Sequence, residues 1–289
     1  MKVLLTNGLL VEARDTGDLQ LPHFGRRDIN NSAFIRILGA IYVKQGEYQK
    51  ALECSPTLLE TNGVHGDHSH QVADILNKIG FLHCDQREYQ KALECYSAAL
   101  EINKRVYGEH SRQAAYTMNN IAILYRKQEA YQKALECFYA ALEIDKRIQT
   151  ERGNNSLQVT HTLSTIGKLY RKLGEYQKAH ECYTQALQCV SQARESNKKR
   201  VRDHSNGFTL NDIGTLHRDQ GEYQKAHECY SQSLEIFKRD RRKHSPHRKN
   251  LAYTLNNIGD LHRKQGEYQK AHERYSAALE IYKQVHGEH

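Results

Sequence analysis

Apolar side chains recur at intervals of three and four residues in paired runs along most of the chain. In the last pair, the first run spans residues 255–262 and the second spans 271–282, with Gly266 between them. Intervals of three and four place side chains on one face of an α-helix, and a glycine commonly ends a helix in the left-handed conformation. The pattern therefore predicts two helices joined by a tight turn, which is a helical hairpin.

The hairpin pattern is repeated along the chain. The tetrapeptide Tyr-Gln-Lys-Ala begins at Tyr48, Tyr89, Tyr131, Tyr176, Tyr223 and Tyr268. Successive copies are 41, 42, 45, 47 and 45 residues apart, and a period between about 20 and 50 residues indicates a solenoid, a propeller or another array. With a helical hairpin as the unit, the sequence predicts an all-α solenoid of about six antiparallel helix pairs.

Small and large side chains occupy fixed places in the repeat. One position on the first helix holds Gly39, Gly80, Ala122, Gly167, Gly214 and Gly259. One position on the second helix holds the rings of Tyr96, Phe138, Tyr183, Tyr230 and Tyr275. Because helices pack closely only where side chains are small, we expect large rings set against small neighbours to stack one hairpin on the next.

Two hairpin turns have no glycine at the position where the first helix ends. The other turns carry Gly46, Gly174, Gly221 and Gly266. Arg87 and Glu129 stand at the same place in the remaining two turns. If they adopt the left-handed conformation, each costs about 1 kcal/mol, because a Cβ atom crowds the backbone there.

The repeat also carries the motif of a known family. Its last copy reads Leu255-x-x-Ile258-Gly259-x-x-His262, then Ala271-x-x-x-Tyr275-x-x-Ala278. This motif closely resembles the tetratricopeptide repeat. Two further segments, Asn119-Asn120-Ile121-Ala122 and Gly108-Glu109-His110, resemble the repeat subtype of kinesin light chains and nephrocystin. The resemblance covers residues 32–289 and implies a right-handed superhelical solenoid whose first helices line a concave groove for a protein partner.

Three parts of the chain depart from this repeat. Residues 1–31 do not match it and form a separate N-terminal segment. The first repeat is degenerate, since Ser55 replaces the ring and Pro56 follows it, so we expect a short or kinked second helix there. Residues 285–289 resemble the junction after Tyr107, which predicts an array truncated at its C-terminus.

The composition indicates which partners, which redox compartment and which relation to membranes to expect. Lys and Arg number 42 against 34 Asp and Glu, for a formal net charge of +8, which permits acidic partners without selecting one. The seven cysteines are an odd number and show no CxxC spacing, so we expect free thiols and a reducing, cytoplasmic location. No run of about 20 apolar residues occurs, so we expect no membrane insertion.

Two polar series on the predicted first helices are candidates for a peptide-binding groove. The amide series is Asn77, Asn119, Asn120, Asn211, Asn256 and Asn257. The basic series is Arg126, Lys168, Arg171, Arg218 and Arg263. An amide offers donors and an acceptor to a peptide backbone, a use that the resemblance implies for Asn120 and Asn257. Guanidinium groups bind carboxylates bidentately, which favours an extended, acidic peptide, although cations near helix C-termini also complement the helix dipole without a ligand.

No catalytic chemistry stands out in the sequence. It contains no glycine-rich phosphate loop, no GxSxG motif and no HExxH motif. Many of the 17 histidines and most of the cysteines recur at repeat positions, which repetition explains better than metal ligation. The sequence therefore predicts a non-enzymatic scaffold or adaptor with no cofactor, no metal site and no small-molecule substrate.

Two other functions stay open at this point. The basic junctions around 198–202 and 239–248 are candidates for RNA or DNA binding that salt would weaken, although they lack the stacking aromatics of single-strand readers. The last repeat has no polar capping helix, so its apolar end face would pair with a second copy in a self-associating homodimer.

Overall fold

The computed structural model describes residues 2–4, 10–12, 42, 50, 69–152, 156–196, 204–239 and 248–286. The chain divides into two units, Met1–Gly63 and Val64–His289. Ser55 and Pro56 of the degenerate first repeat lie outside the described residues, and so do the final residues 287–289.

In the N-terminal unit, six of the described residues form a short antiparallel ribbon. Strand β1 (Lys2–Leu4) pairs with strand β2 (Leu10–Glu12), and Val3 lies opposite Val11. The sequence pattern does not predict these strands, because three residues are too few to show an alternation of apolar and polar positions.

The second unit consists of helices in the residues that the structure describes. They are α1 (Ser69–Asp85), α2 (Tyr89–Tyr107), α3 (Arg112–Lys127), α4 (Tyr131–Arg152), α5 (Ser156–Lys172), α6 (Tyr176–Ser196), α7 (His204–Asp219), α8 (Tyr223–Lys238), α9 (Arg248–Lys264) and α10 (Tyr268–His286). They pair as the hairpins α1/α2, α3/α4, α5/α6, α7/α8 and α9/α10, and each hairpin packs on the next. The predicted all-α solenoid of helix pairs is confirmed.

Each of these hairpin turns passes through one residue in the left-handed region. The φ angle is 77° at Gly174 and 78° at Gly221 and Gly266, and it is 64° at Arg87 and 61° at Glu129. The next amide after each of these residues donates to a carbonyl of the preceding helix at 2.8–2.9 Å, which caps that helix. Arg87 and Glu129 thus take the conformation of the glycines they replace.

A glycine faces an aromatic ring inside the α5/α6 hairpin. A Cβ atom on Gly167 would lie 2.5 Å from Cε1 of Tyr183, closer than two carbon atoms can approach. The same contact recurs at Gly80, Gly214 and Gly259. We expected it between hairpins, but it joins the two helices of one hairpin. Neighbouring hairpins instead share buried apolar clusters, such as the one that contains Phe138 of α4 and Ile166 of α5.

Candidate interaction surface

The eleven candidate groove residues lie on the first helices of the hairpins. They are Asn77 on α1; Asn119, Asn120 and Arg126 on α3; Lys168 and Arg171 on α5; Asn211 and Arg218 on α7; and Asn256, Asn257 and Arg263 on α9. The structure therefore spreads them along the array instead of gathering them in one cluster. Successive hairpins present equivalent positions, so the residues form rows.

Two of the amides are buried and connect successive first helices. Asn77 Nδ2 donates to Thr117 Oγ1 over 3.0 Å, which joins α1 to α3. Asn211 Nδ2 donates to Thr254 Oγ1 over 2.8 Å, which joins α7 to α9. Asn77 is 4% exposed and Asn211 is 1% exposed. These two side chains hold hairpins together in this structure.

The junction between α3 and α5 lacks the corresponding hydrogen bond. Asn119 and Thr162 occupy its two positions and are 8% and 1% exposed, yet neither side chain has a hydrogen-bond partner among the described residues. At the α5–α7 junction the equivalent hydroxyl oxygens of Ser164 and Thr209 lie 3.4 Å apart. Helices α3 and α5 also make less contact than the other neighbouring first helices.

Two other amides of the series reach the surface. Asn120 and Asn256 are half-buried, and Asn120 Nδ2 donates to Asn77 Oδ1 over 3.2 Å. Asn257 is 7% exposed, and its Nδ2 has no hydrogen-bond partner within the described part of the chain. Asn120 and Asn256 are therefore the amides most accessible to a partner.

Carboxylates from the next hairpin neutralise two arginines of the basic series. Arg171 of α5 forms an ion pair with Asp219 of α7. Arg218 of α7 has its Nη1 atom 3.5 Å from Asp260 Oδ2 of α9. The Arg171 and Arg218 side chains are 29% and 14% exposed. These arginines bridge hairpins and offer a ligand little charge that is not already compensated.

Three cations of the basic series keep exposed side chains. Arg126 is exposed, Lys168 is 52% exposed and Arg263 is 58% exposed. Lys168 Nζ lies 3.1 Å from Asp212 Oδ2; burial raises the pKa of the Asp212 carboxyl, and Lys168 partly offsets that rise. Arg263 lies 3.7 Å from Asp260. Exposed ion pairs contribute about 0–1 kcal/mol, so Arg263 can exchange its partner for a ligand. Asp212 is only 7% exposed, so Lys168 is held more firmly by its partner.

The sequence prediction did not include a row of exposed aromatic rings beside these polar positions. Tyr116, Phe208 and Tyr253 stand at one position on α3, α7 and α9 and are 57%, 42% and 48% exposed. His161 holds this position on α5 and is also exposed. These residues are 45, 47 and 45 apart, as are the later Tyr-Gln-Lys-Ala copies. That shared period is the signal that could have identified the row.

The thiols show no sign of activation. Six cysteines are free in the described ranges, and burial raises the pKa of Cys95 to about 12 and that of Cys182 to about 11. No group of three or more His, Cys, Asp or Glu side chains in these ranges is arranged to hold a metal ion. Among the helices described, none combines the length and the apolar character needed to cross a membrane.

The stacked helical hairpins, with rows of equivalent side chains on the first helices, define a repeat protein of the solenoid class. The tetratricopeptide repeat profile matches residues 71–147, 182–239 and 209–284, and a second tetratricopeptide repeat profile matches 161–192. These matches cover more than half of the chain. The chain therefore belongs to the tetratricopeptide repeat family.

Solved structures of other proteins share the fold. BtubC (BKLC) from P. vanneervenii is 17% identical with a TM-score of 0.63, and the match covers 88% of this chain and 93% of that chain. A kinesin light chain-type protein of Podosopora anserina with nearly identical TPR-like repeats is 16% identical with a TM-score of 0.57, covering 76% and 99%. A Rap protein complexed with Competence and Sporulation Factor is 16% identical with a TM-score of 0.53, covering 90% and 66%. No curated protein matches the chain.

Proposed function

We propose that this chain is a non-enzymatic protein-interaction scaffold whose first helices hold an extended, acidic peptide segment of a partner. The observation that carries the proposal is the set of exposed cations Arg126, Lys168 and Arg263 on α3, α5 and α9. Asn120 shares α3 with Arg126, and Asn256 shares α9 with Arg263; both amides are half-buried and offer hydrogen bonds to a peptide backbone whatever its sequence.

The ion-paired arginines have a supporting role in this proposal. Arg171 links α5 to α7 through Asp219, and Arg218 links α7 to α9 through Asp260. Charges of this kind contribute more to specificity and association rate than to affinity. The partner is therefore expected to bind faster at low salt than at high salt.

Similarity of fold supports a binding role. A Rap protein of the same fold has been solved in complex with Competence and Sporulation Factor, so stacked hairpins of this kind do hold a bound partner. The acidic character of the partner is supported by the cations of this chain alone.

The test uses two fluorescent peptides of about 12 residues, which span about 40 Å when extended. One peptide carries Glu and Asp, and the other carries Gln and Asn at the same places. Fluorescence anisotropy should show binding of the acidic peptide only. The combined variant Arg126→Gln, Lys168→Gln, Arg263→Gln should weaken it about tenfold, since three exposed pairs contribute up to about 1 kcal/mol each and 1.4 kcal/mol corresponds to a factor of ten.

The matched control removes three cations from second helices. Lys146, Lys238 and Arg274 are exposed on α4, α8 and α10, and their replacement by Gln lowers the net charge by the same amount. This control variant should bind the acidic peptide like the wild type. Equal losses in both variants would show a nonspecific effect of net charge and would overturn the proposal.

The alternative functions stay predictions. The basic junction 198–202 and residues 240–247 of the second junction lie outside the described residues; Arg239, at the end of α8, is exposed. The homodimer through the last repeat would use α10, on which Leu279 is 56% exposed.

A further inference from the structure

A row of exposed rings crosses the hairpins α5/α6, α7/α8 and α9/α10. His161 on α5, Phe208 on α7 and Tyr253 on α9 stand at one position of the first helix, and all three side chains are exposed. The Phe208 ring packs against the Phe237 ring with centroids 5.3 Å apart, which holds it in place. Single exposed apolar side chains are common on proteins, whereas a row of them on successive repeats is typical of a binding surface.

The three helices that carry these rings are held against one another by side-chain contacts. The hydroxyl oxygens of Ser164 and Thr209 lie 3.4 Å apart between α5 and α7, and Asn211 Nδ2 donates to Thr254 Oγ1 over 2.8 Å between α7 and α9. Packed helices lie about 8–10 Å apart, so successive rings recur at about that interval. Tyr116 holds the same position on α3, but α3 makes less contact with α5, so the regular interval runs from α5 to α9.

The interval between the rings discriminates between conformations of a bound segment. A β-strand presents a side chain to one face at every second residue, about 7 Å apart. A polyproline II helix does so at every third residue, about 9 Å apart, which agrees with the interval between packed helices. An α-helix returns to one face after seven residues, about 10.5 Å, but its carbonyl groups are already bonded within the helix and would accept nothing from the groups beside the rings.

Hydrogen-bond donors share the helix face of the rings. Gln158 precedes His161 by three residues, and Asn256 follows Tyr253 by three; both amides are half-buried. Lys249 precedes Tyr253 by four residues and is exposed. Side chains three or four residues apart are neighbours on a helix surface. A polyproline II segment leaves its carbonyl groups unbonded, so the amides complement its backbone, and the lysine complements acidic side chains between its prolines.

We propose that the acidic segment is proline-rich and binds as a polyproline II helix, with prolines on the rings of His161, Phe208 and Tyr253. Each proline packs on the ring of one hairpin, as in other aromatic-lined grooves that bind this conformation. Because proline fixes its own φ angle, the segment is ordered before it binds and loses less conformational entropy. The inference rests on the proposed function, since it assigns a conformation and a second residue type to the same segment.

The test measures fluorescence anisotropy of four labelled peptides of about 12 residues, which span about 37 Å as polyproline II helices, with the full chain. The first repeats Pro-Glu-Ala, and the second has the same composition with its prolines at every second position. The third repeats Leu-Glu-Ala, and the fourth repeats Pro-Gln-Ala. The first should bind about tenfold more tightly than the second and the third, a difference of about 1.4 kcal/mol. The fourth should bind more weakly than the first because it lacks the carboxylates.

A pair of matched variants locates the contact. The variant His161→Gln, Tyr253→Gln removes two exposed rings of the row and should lose the preference for proline at every third residue. The control Tyr268→Gln, His272→Gln removes the same two residue types from exposed positions on α10 and should keep that preference. Circular dichroism during urea unfolding verifies that both variants stay folded.

The outcomes separate this inference from the proposed function. Acidic peptides that bind without a preference for proline at every third residue would overturn the inference and leave the proposed function standing. A preference that survives in the variant without His161 and Tyr253 would also overturn it, because the prolines would then lie elsewhere. Equal binding of the Pro-Glu-Ala and Pro-Gln-Ala peptides would contradict the acidic character of the segment and with it the proposed function.

Discussion

At the scale of single residues, a glycine opposite an aromatic ring sets the distance between the two helices of a hairpin. Tyr183 is fully buried, and its ring occupies the space in which a side chain at Gly167 would begin. In the α3/α4 hairpin the same two positions hold Ala122 and Phe138. The α3/α4 hairpin therefore accommodates one methyl group against the Phe138 ring.

We expect Gly167→Ala to lower the free energy of unfolding. Alanine normally stabilises a helix by about 0.5–1 kcal/mol relative to glycine, but overpacking against the Tyr183 ring costs about 1–3 kcal/mol. Urea unfolding followed by circular dichroism measures the balance. The double variant Gly167→Ala, Tyr183→Phe reproduces the Ala122–Phe138 pair and should recover part of the loss. A single variant as stable as the wild type would contradict the packing account.

A second contact at this scale joins a histidine to a glutamate across the hairpin turn. The pairs are His83–Glu88, His217–Glu222 and His262–Glu267, with Nδ1–Oε2 distances of 2.6, 2.5 and 2.6 Å. The hydrogen bond from His83, followed by that from Lys91, lowers the pKa of Glu88. The carboxylate form of Glu88 is thus the one that stabilises the turn.

The sign of the pH dependence follows from this shift. Because the pKa of Glu88 in the folded chain lies below its ordinary value of 4.5, the contribution of its carboxylate to the free energy of unfolding is fully present above about pH 4.5. It is lost as the pH falls through the lowered pKa. The difference in unfolding free energy between wild type and Glu88→Gln should therefore shrink on acidification. A difference that stays constant from neutral pH to pH 3 would show that this carboxylate does not stabilise the turn.

At the scale of the elements, buried polar contacts between first helices fix how one hairpin sits on the next. Thr117 accepts hydrogen bonds from Asn77 and Asn103 and donates to the Gln113 carbonyl. Thr162, at the equivalent position, has no side-chain hydrogen bond within the part of the chain described. One junction is therefore held by a polar network that the next junction does not form.

Replacing each threonine by valine tests this difference. Thr117→Val leaves Asn77 Nδ2 without its acceptor and Asn103 Nδ2 with only the Gln113 carbonyl at 3.4 Å, and it should cost about 1–3 kcal/mol of unfolding free energy. Thr162→Val removes a buried hydroxyl group that makes no hydrogen bond, so it should leave stability unchanged or raise it by up to about 1–3 kcal/mol. Urea unfolding compares the two isosteric changes. Similar costs for both variants would mean that the α3–α5 junction is hydrogen-bonded in solution.

The repeat pattern predicts the features that depend on contacts within one hairpin. Helix pairs, turns and the left-handed Arg87 and Glu129 follow from it, because each copy repeats the same local requirement. Contacts between hairpins are harder to predict. Arg171 pairs with Asp219, yet the position of Asp219 holds Lys172 in the preceding hairpin, so no periodic signal marks the carboxylate.

The burial of the candidate groove residues is likewise not predicted by the repeat pattern. The sequence places the amides on first helices, but it does not separate Asn77, which is buried, from Asn256, which is half-buried. Burial at these positions depends on whether another hairpin covers them and how closely it packs. Composition and spacing within one repeat do not contain that information.

At the scale of the whole molecule, the array carries exposed cations on several of its first helices. Arg126, Lys168 and Arg263 are exposed along the first helices. A repeat protein gains such features by varying single positions on a constant scaffold, which is why the fold alone does not specify the partner.

The most direct test of the central claim is selection of peptides from a random library by the immobilised chain. The account predicts enrichment of Asp and Glu in the selected peptides. It also predicts loss of that enrichment in the variant with Arg126, Lys168 and Arg263 replaced by Gln, but not in the variant with Lys146, Lys238 and Arg274 replaced by Gln. Selected peptides without acidic enrichment, or the same peptides selected by both variants, would contradict the proposal that the first helices bind an acidic segment.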